Sequence, residues 1–354
     1  MKRVLVTGAA GFVGSHVVGA LEARGVEVVA LVRHGSAVPA SASASAVRVV
    51  RGDVLDASTV RTAAHGCDGA IHCAGRVSRS PRDADEMRRI HVLGTRAFIE
   101  GCEEARVTRV VVASTSGTVA VSDDPDHVAT EEDPTPYHLV NQWPYYRAKL
   151  WAEEAALARN RAEFAVMAVN PSLVLGPADT RGSSTEDIRL FLEGKVAAIP
   201  SGGLSYVDVR DAAEAMVLAL ARGDGGKRYL VGASNVTFRE FFARLERVSG
   251  VRGPWATLPR EATKVAGALL ERFAAAVGRE PAVDAESLEL ARHFWYLDPS
   301  RAERELGWTP RDPLATLADT VADLRARGVV WPDATLAPHA TVNVPVEQSA
   351  QGTA

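Results

Sequence analysis

Several features are scarce in this chain of 354 residues, and each scarcity argues against a class of protein. Only three cysteines occur (Cys67, Cys73 and Cys102), and they lack metal-site spacing, so we expect reduced thiols rather than disulfides or a bound metal. The net charge of −4 gives no reason to expect nucleic acid or an anionic membrane as a partner. No apolar run reaches the ~18 uninterrupted residues that a membrane span requires. We therefore expect a cytoplasmic protein without a nucleic-acid or membrane partner.

The overall composition, by contrast, is typical of a globular protein. Hydrophobic residues make up 47% of the chain and charged residues 24%. The length allows one large domain or two moderate ones with ample core. The first apolar stretch superficially resembles a signal peptide, but glycines interrupt it, and its periodicity predicts a strand followed by a helix.

That first stretch contains a glycine-rich turn. Arg3 to Val6 is a short apolar run with β-branched residues, which predicts a buried strand. From Phe12 to Leu21 the apolar residues recur at the period of a helix. The glycines fall where the strand gives way to the helix, in the pattern Gly8-x-x-Gly11-x-x-Gly14. A dinucleotide-binding turn requires this context.

Each part of the turn suits a pyrophosphate. Gly8 permits the tight turn, Gly11 lets the backbone approach the phosphates, and Gly14 lets the helix pack closely on the strand. The helix N-terminus, at Phe12 and Val13, offers free N–H groups to the phosphates. We therefore predict a nucleotide site; a glycine-rich turn that binds no ligand is the alternative.

The end of the second predicted strand lacks an acidic residue. This strand, Val26–Val32, is followed by Arg33 and His34. In dinucleotide-binding folds an acidic residue at this place binds the ribose 2′-hydroxyl of NAD. Arg33 can instead pair with the 2′-phosphate of NADP, for which a guanidinium is well suited. The sequence therefore favours NADP(H); NAD(H) remains the alternative if Arg33 is an ordinary solvated side chain.

Strands and helices alternate through the first half of the chain. The low-complexity run at 39–45 predicts a flexible loop. Further strands are predicted at Ala46–Val50, Ala70–Cys73 and Arg109–Ala113, with a helix at Met87–Ala105. This alternation predicts an α/β fold with a parallel, doubly wound sheet of the Rossmann type. Asp53 and Gly75 follow two of these strands, at the edge where ligand grooves form.

The second half predicts the end of the sheet and a smaller, mainly helical cap that binds substrate. Thr237 and Glu240 form a predicted capping box, and Asp298 with Pro299 signals a helix start. Strands are expected at Val166–Asn170 and Arg228–Val231, and helices at Thr185–Leu192, Asp211–Ala221, Phe238–Val248 and most of 254–292. We expect a dinucleotide-binding domain at 1–175 (completed by about 206–231), a cap at 176–205 and 232–330, and a disordered tail at 333–354.

Two groups of polar residues carry a chemical signal. The hydroxyl-rich run Ser114–Thr118 follows the fifth strand, where such side chains either form turns or bind substrate. Tyr145 and Lys149 lie four apart in a helix that begins at Pro144, so they share one face. A free phenol has a pKa near ~10, and a nearby ammonium would lower it, which suits Tyr145 as a general acid or base for a carbonyl. A packing tyrosine and a solvated lysine are the alternative.

These motifs occur in order and at compatible spacings, and together they resemble the extended short-chain dehydrogenase/reductase family, also called the NAD-dependent epimerase/dehydratase family. The resemblance covers roughly residues 1–325 and is strongest to the dihydroflavonol-4-reductase-like branch. It rests on Thr7-Gly-x-x-Gly-x-x-Gly14, Asp53, His72-x-Ala-Gly75, the serine-rich strand end, Tyr145-x-x-x-Lys149, Asn170–Pro177, Tyr206–Asp211 and Asp298–Trp308.

The resemblance implies a role for each matching residue. Tyr145 is the implied acid/base, and Lys149 holds the nicotinamide ribose. Ser116 hydrogen-bonds the substrate oxygen, and Thr118 is a neighbouring substrate contact. The implied cofactor contacts beyond the glycine turn are Asp53 and Val54 at the adenine, Ala74 and Gly75 along the cofactor, and Pro171 and Ser172 near the nicotinamide.

The chain departs from the family pattern at two places. The aromatic residue and glycine that usually follow the catalytic serine are replaced by Ala120 and Val121. The helix motif that usually reads Asn-Val-x-Gly-Thr begins with His91 here, so a proton relay through that asparagine is left open.

Three roles compete. They are simple carbonyl or alcohol redox, epimerisation or dehydration of a nucleotide sugar with tightly held NAD, and NADP sensing without catalysis. The last is disfavoured because Ser116, Tyr145 and Lys149 are all present at catalytic spacing. Nucleotide-sugar enzymes of the family typically place an arginine for the diphosphate before a Val-x-Asp-Val motif, and the corresponding segment, Ile199–Tyr206, has none.

We therefore expect an NADP(H)-dependent oxidoreductase that reduces a ketone or aldehyde of a small organic substrate. Oxidation of an alcohol, as in hydroxysteroid-dehydrogenase-like members, is the same chemistry in reverse and stays open. The resemblance is also compatible with a homodimer formed through a helix pair that includes the Tyr145 helix.

Overall fold

The computed structural model describes residues 1–36, 47–259 and 285–330. Its main sheet consists of β1 (Arg3–Thr7), β2 (Glu27–Val32), β3 (Val47–Arg51), β4 (Gly69–His72), β5 (Arg109–Ala113), β6 (Ala165–Pro171) and β9 (Arg228–Val231). All neighbouring strands are parallel, in the order β3-β2-β1-β4-β5-β6-β9. The order reverses beside β1, which confirms the predicted doubly wound Rossmann sheet and places a ligand groove at the carboxyl ends of β1 and β4.

Some of the described helices cover both faces of this sheet, and the others pack outside it. The helices are α1 (Phe12–Glu22), α2 (Ala57–Ala64), α3 (Ala84–Met87), α4 (Gly94–Glu104), α5 (Tyr137–Val140), α6 (Pro144–Leu157), α7 (Glu186–Leu192), α8 (Val209–Arg222), α9 (Phe238–Ser249), α10 (Ala285–Leu290) and α11 (Pro313–Ala326). Within the ranges that the structure describes, each helix is too short or too polar to cross a membrane.

The alternation of side chains along the strands builds two apolar layers. Val4 and Val6 pack with α1 and α8 on one face of the sheet. Leu5, between them, points to the other face and packs with α2, α4 and α6. The sheet is therefore buried on both sides, which is why its strands read as nearly continuous apolar runs.

The structure contains a second, smaller mixed sheet that was not predicted from the sequence. It consists of β7 (Leu173–Leu175), β8 (Gly203–Asp208), β10 (Ser234–Thr237) and β11 (Phe294–Trp295), with β8 paired to each of the others. These strands are only two to six residues long, and β7 continues the apolar run of β6. An alternating pattern of apolar residues is hard to detect over such short lengths, which is why the prediction of a mainly helical cap did not include this sheet.

Most predicted elements are present, with differences at their ends. β5 and β9 have the predicted bounds, and the capping box of Thr237 and Glu240 forms at the start of α9. The helix predicted over 87–105 is interrupted by a π-helical turn at Arg88–Leu93. Residues 254–259 are not helical as predicted, and Thr257 forms an isolated β-bridge with Ile199. The predicted loop at 39–45, most of the helical stretch at 260–284 and the predicted tail at 333–354 lie outside the described residues.

The capping box gives a test of local stability. The exposed Thr237 hydroxyl accepts the Glu240 N–H at 3.2 Å, and the Glu240 carboxylate accepts the Thr237 N–H at 3.0 Å. Thr237→Ala removes one of these bonds and should lower the free energy of unfolding by about 1 kcal/mol. Thr237→Ser keeps the hydroxyl and should stay near wild type. Urea denaturation measures both, and an alanine variant as stable as wild type would contradict the prediction.

Candidate active site

The glycine-rich turn brings three backbone segments into close contact. Gly8 has a φ of +68°, and a Cβ added there would lie 2.6 Å from the backbone of Cys73 and Ala74, which follow β4. A Cβ added at Gly14 would lie 2.2 Å from the Gly8 carbonyl oxygen. The N–H of Gly11 donates to that same carbonyl at 2.8 Å. The turn therefore packs so tightly that side chains are excluded at Gly8 and Gly14.

The same turn leaves hydrogen-bond donors at the start of α1. Gly11 is the N-cap residue, with an extended backbone and no side chain to cap the helix. The N–H groups of the first turn, at Phe12 and Val13, can therefore donate to an anion. At the far end of the groove, after β6, the Ser172 hydroxyl is buried and has no hydrogen-bond partner among the described residues. A cradle of N–H groups and a buried free hydroxyl fit a dinucleotide.

The carboxyl ends of β2 and β3 carry two arginines. Arg33 follows β2 and is exposed. Arg51 ends β3 beside Val32, and its guanidinium donates to the Ser36 carbonyl at 3.1 Å. Nearby, the exposed Asp53 accepts the N–H of Leu55 at 3.0 Å. Arg51 was not predicted as a site residue, because the predicted strand ended one residue earlier. The sequence signal that could have identified it is an arginine at the end of each of two adjacent strands.

The predicted pair on α6 lies against the end of β5. The Lys149 ammonium donates to the carbonyl of Ala113 at 2.6 Å. Burial lowers the pKa of Lys149 to about 8, and the charges of Cys73 and Glu153 raise it by a smaller amount. The ammonium is therefore held at the sheet edge, close to its titration point.

Tyr145 sits between two other rings. Its centroid is 5.6 Å from that of His91 and 5.1 Å from that of Tyr146, both in edge-to-face arrangements. Burial raises the pKa of Tyr145 above its ordinary value, and Tyr146 raises it further. The expectation that Lys149 lowers this pKa was wrong for the chain by itself, because desolvation dominates and the ammonium is directed to Ala113. Tyr145 is consequently a protonated phenol at neutral pH.

Ser116 opens a 3-10 turn (Ser116–Thr118) that follows β5 and packs against α6. Ser116 is buried, and its carbonyl accepts the N–H of Ala120 at 2.7 Å. Gly117 is required here, because an added Cβ would lie 2.3 Å from the Tyr146 ring. Thr118 is fully buried and its hydroxyl donates to the Thr115 carbonyl at 3.0 Å. Thr118 thus faces the interior, and we do not propose a substrate contact for it.

His91 lies in the π-helical turn, where the family pattern has asparagine. One ring nitrogen, Nε2, is 2.8 Å from the Arg76 carbonyl and therefore donates to it. Burial lowers the pKa of His91 to about 3, so the ring is neutral. A Cβ added at Gly75 would lie 2.9 Å from this ring. His91 thus connects the predicted cofactor strand end at Ala74 and Gly75 to the Tyr145 ring.

One polar residue near the site was not singled out from the sequence. Glu153 follows Lys149 by four residues and its carboxylate is buried behind the site. The signal in the sequence is the spacing of Tyr145, Lys149 and Glu153, which follow one another at intervals of four residues and therefore share one face of the helix. Within the described residues, no group of three or more His, Cys, Asp or Glu side chains is arranged to hold a metal ion.

Comparison with protein families identifies the chain. The model of the NAD dependent epimerase/dehydratase family matches residues 4–232. The chain belongs to this family. Its fold and the relatives below make it an NAD(P)-dependent enzyme of the extended short-chain dehydrogenase/reductase class.

Two relatives of this family member are named as reductases. A Synechocystis sp. protein, provisionally named dihydroflavonol 4-reductase, is 31% identical over 330 residues, covering 92% of this chain and 95% of the relative. Cinnamoyl-CoA reductase 1 of Oryza sativa subsp. japonica is 35% identical over 244 residues, covering 65% of this chain and 70% of the relative. The predicted similarity to the dihydroflavonol-reductase-like branch is confirmed.

Solved structures of family members are also similar. The crystal structure of gox2253 has a TM-score of 0.80 and 29% identity, with 94% of this chain and 100% of that chain covered. The structure of MoeE5 in complex with UDP-glucose and NAD has a TM-score of 0.70 and 28% identity, with 92% and 99% covered. The shared architecture thus includes proteins that bind NAD and a nucleotide sugar.

The tight packing at Gly14 predicts a loss of nucleotide binding on substitution. In Gly14→Ala the added methyl group meets the Gly8 carbonyl oxygen, and relieving such an overlap costs about 1–3 kcal/mol. We expect the affinity for NADPH, measured by fluorescence titration, to fall about tenfold or more. The control is Gly253→Ala, whose methyl group would meet no atom closer than the flexible Glu246 carboxylate, at 3.3 Å. Equal affinities for the two variants would contradict the prediction.

Proposed function

We propose that this protein is an NADP(H)-dependent reductase that converts a ketone or aldehyde of a small organic substrate to an alcohol. The observation that carries the proposal is the phenol of Tyr145 one helical turn before Lys149, whose ammonium is held at the end of β5. Burial raises the pKa of Tyr145, so the phenol carries its proton at neutral pH and can donate it to a carbonyl oxygen.

In the proposed reduction, different residues of this chain donate the proton, orient the carbonyl oxygen and bind the cofactor. The bound cofactor supplies the hydride that the carbonyl carbon accepts. Tyr145 donates its proton to the carbonyl oxygen, and the Ser116 hydroxyl orients that oxygen. With the cofactor bound, the Lys149 ammonium would hold the nicotinamide ribose, and its charge would favour the phenolate that Tyr145 becomes. The residues that we propose bind the cofactor are Gly8, Gly11, Phe12, Val13, Gly14, Arg33, Asp53, Val54, Ala74, Gly75, Pro171 and Ser172.

The preference for NADP(H) rests on charge at the ends of β2 and β3. Arg33 is exposed there, and the guanidinium of Arg51 anchors the Ser36 carbonyl of the same loop. Two guanidinium groups at adjacent strand ends favour a 2′-phosphate over a free 2′-hydroxyl. The groove therefore favours the phosphorylated cofactor.

The segment that binds the diphosphate in nucleotide-sugar enzymes of the family carries no arginine in this chain. Diphosphate recognition needs such a cation or a nest of N–H groups, and Ile199–Tyr206 contains no arginine. We therefore favour a neutral carbonyl compound over a nucleotide sugar as the substrate.

A second candidate function is epimerisation or dehydration of a nucleotide sugar with tightly bound NAD. It is supported by the family's description and by the similarity to MoeE5 with UDP-glucose and NAD. The two functions differ in one observable. A reductase consumes NADPH when a ketone or aldehyde is added, whereas an epimerase keeps its NAD and consumes none.

Removal of the Tyr145 hydroxyl tests the proposed chemistry. Tyr145→Phe removes the proton donor and should lower NADPH oxidation with carbonyl substrates by about 10²- to 10⁴-fold. Because the glycine turn is untouched, the affinity for NADPH should stay near wild type. Tyr146→Phe removes the same atom one residue along the helix and should keep most of the turnover. Undiminished NADPH oxidation by Tyr145→Phe would exclude Tyr145 from the mechanism.

Arg33 tests the cofactor preference. In Arg33→Glu a carboxylate repels the 2′-phosphate and can accept the ribose 2′-hydroxyl. A charge-assisted hydrogen bond contributes about 1.5–3 kcal/mol, so the ratio of kcat/KM for NADPH to that for NADH should fall about tenfold or more. Arg247→Glu makes the same charge change at an exposed position on α9 and should leave the ratio unchanged. An unaltered ratio in Arg33→Glu would refute the assigned contact.

A further inference from the structure

A carboxylate with no part in the chemistry above is buried directly behind the site. Glu153 is 1% exposed and lies on α6, four residues after Lys149 and eight after Tyr145. Burying a charged group is costly unless it is paired and hydrogen-bonded. The buried Glu153 carboxylate therefore needs polar or charged partners, and it lies on the same helix face as the proposed catalytic pair.

One carboxylate oxygen of Glu153 is the meeting point of three separate segments. It accepts hydrogen bonds from the Ser114 hydroxyl and from one N–H of the Asn170 amide, the latter at 2.7 Å, and the Thr118 hydroxyl oxygen lies 3.2 Å from it. The second N–H of Asn170 is shared between the Thr115 carbonyl and the Thr118 hydroxyl, both at 3.1 Å. These bonds tie the end of β5, the 3-10 turn and the end of β6 to α6.

The other carboxylate oxygen of Glu153 lies against a positively charged side chain. It lies 2.9 Å from Nε of Arg228, at the start of β9, and the Arg228 side chain is 17% exposed. The pair therefore brings a fourth segment, the start of β9, to the same point. Breaking such a buried pair from one side leaves an uncompensated charge, so the geometry at Glu153 is strongly defined.

We propose that Glu153 is the positioning residue of this site: its carboxylate sets the place of the Ser116 turn and of the β6 end relative to Tyr145 and Lys149. The inference rests on the proposed function. Thr118 shares a turn with Ser116, and Asn170 precedes Ser172 by two residues, so each bond to Glu153 locates one side of the groove. Since the rate of a proton transfer depends steeply on placement, a shift of this turn should slow turnover more than it weakens cofactor binding.

The charge of Glu153 also acts on Lys149. The charged or titratable groups that interact with the Lys149 ammonium are Cys73 and His72 from β4 and its end, His91 from the π-helical turn, and Glu153 from its own helix. Among them Cys73 and Glu153 raise the pKa of Lys149. Loss of the carboxylate, with Arg228 left charged beyond it, should therefore make Lys149 lose its proton at a lower pH.

The first measurement is the kinetics of Glu153→Gln, which keeps the size of the side chain. We expect kcat with a carbonyl substrate to fall about tenfold to 10²-fold, while the dissociation constant for NADPH stays within about threefold of wild type. Glu154→Gln is the matched control, because it loses the same charge on the next residue, where the carboxylate accepts the Tyr137 hydroxyl at 2.6 Å. Its kcat should stay near wild type.

The second measurement needs no substrate. The chain has five lysines, Lys2, Lys149, Lys195, Lys227 and Lys264, so the side-chain signals of lysine labelled at Cε are few. Lys149→Arg assigns the Lys149 signal by its disappearance. In Glu153→Gln the NMR titration midpoint of Lys149 should lie below that of wild type, by roughly one pH unit. In Glu154→Gln it should not move, and a residue with only a structural role would not move it either.

The outcomes separate the inference from the proposed function. If wild type reduces no carbonyl compound, the proposed function fails, and the Lys149 midpoint alone decides the role of Glu153. A folded Glu153→Gln with wild-type kcat and a wild-type midpoint overturns the inference. If this variant does not fold, Glu153→Asp takes its place, since it keeps the charge for Arg228 but shortens the reach to Asn170. Its kcat should then fall with an unchanged NADPH affinity, and wild-type values of both would overturn the inference.

Discussion

The hydrogen bond from the Lys149 ammonium to the Ala113 carbonyl joins helix α6 to the end of β5, and the geometry of the site depends on it. Ala113 is the last residue of a strand that is buried on both faces, so its position is set by the sheet rather than by the loops. A buried ammonium has few ways to satisfy its donors, and the carbonyl at the strand end provides one. Tyr145, one turn earlier on α6, is located by the same bond.

Burial controls the electrostatics of this region more than pairwise charge does. It lowers the pKa of Lys149 to about 8 and that of His91 to about 3, and it raises the pKa of Tyr145 above its ordinary value. Each shift favours the less charged form, as expected where water is excluded. The phenol of Tyr145 therefore carries its proton at neutral pH, one helical turn from an ammonium whose pKa burial lowers to about 8.

The parts that could be predicted from the sequence depend on short-range spacing. The glycine turn needs contacts only between residues of one βα unit and the next strand, and the pair of Tyr145 and Lys149 needs only a helical turn. The seven-stranded sheet follows from the alternation of apolar runs with helices. These features are properties of local patterns, so a single sequence suffices to recognise them.

Other features depend on contacts between distant segments. The convergence of Ser114, Thr118, Asn170 and Arg228 on Glu153 involves three strand ends far apart in sequence, and a lone glutamate on a helix does not reveal them. The family resemblance implied that Thr118 contacts the substrate, whereas the hydrogen bonds that the structure describes for its hydroxyl are to Thr115, Glu153 and Asn170 in the interior. The π-helical turn at Arg88–Leu93 and the short strands of the second sheet likewise depend on packing between segments and leave no periodic pattern of apolar residues in the sequence.

Isotope transfer tests the central claim most directly. The purified protein is incubated with a panel of uncharged ketones and aldehydes and with NADPH deuterated at the nicotinamide C4, each face in turn, and the product is weighed by mass spectrometry. Our account predicts that one deuterium from one of the two labelled cofactors appears on the carbinol carbon of the alcohol. If the protein instead retains bound NAD, interconverts a nucleotide sugar and transfers no label from added NADPH, the account is contradicted.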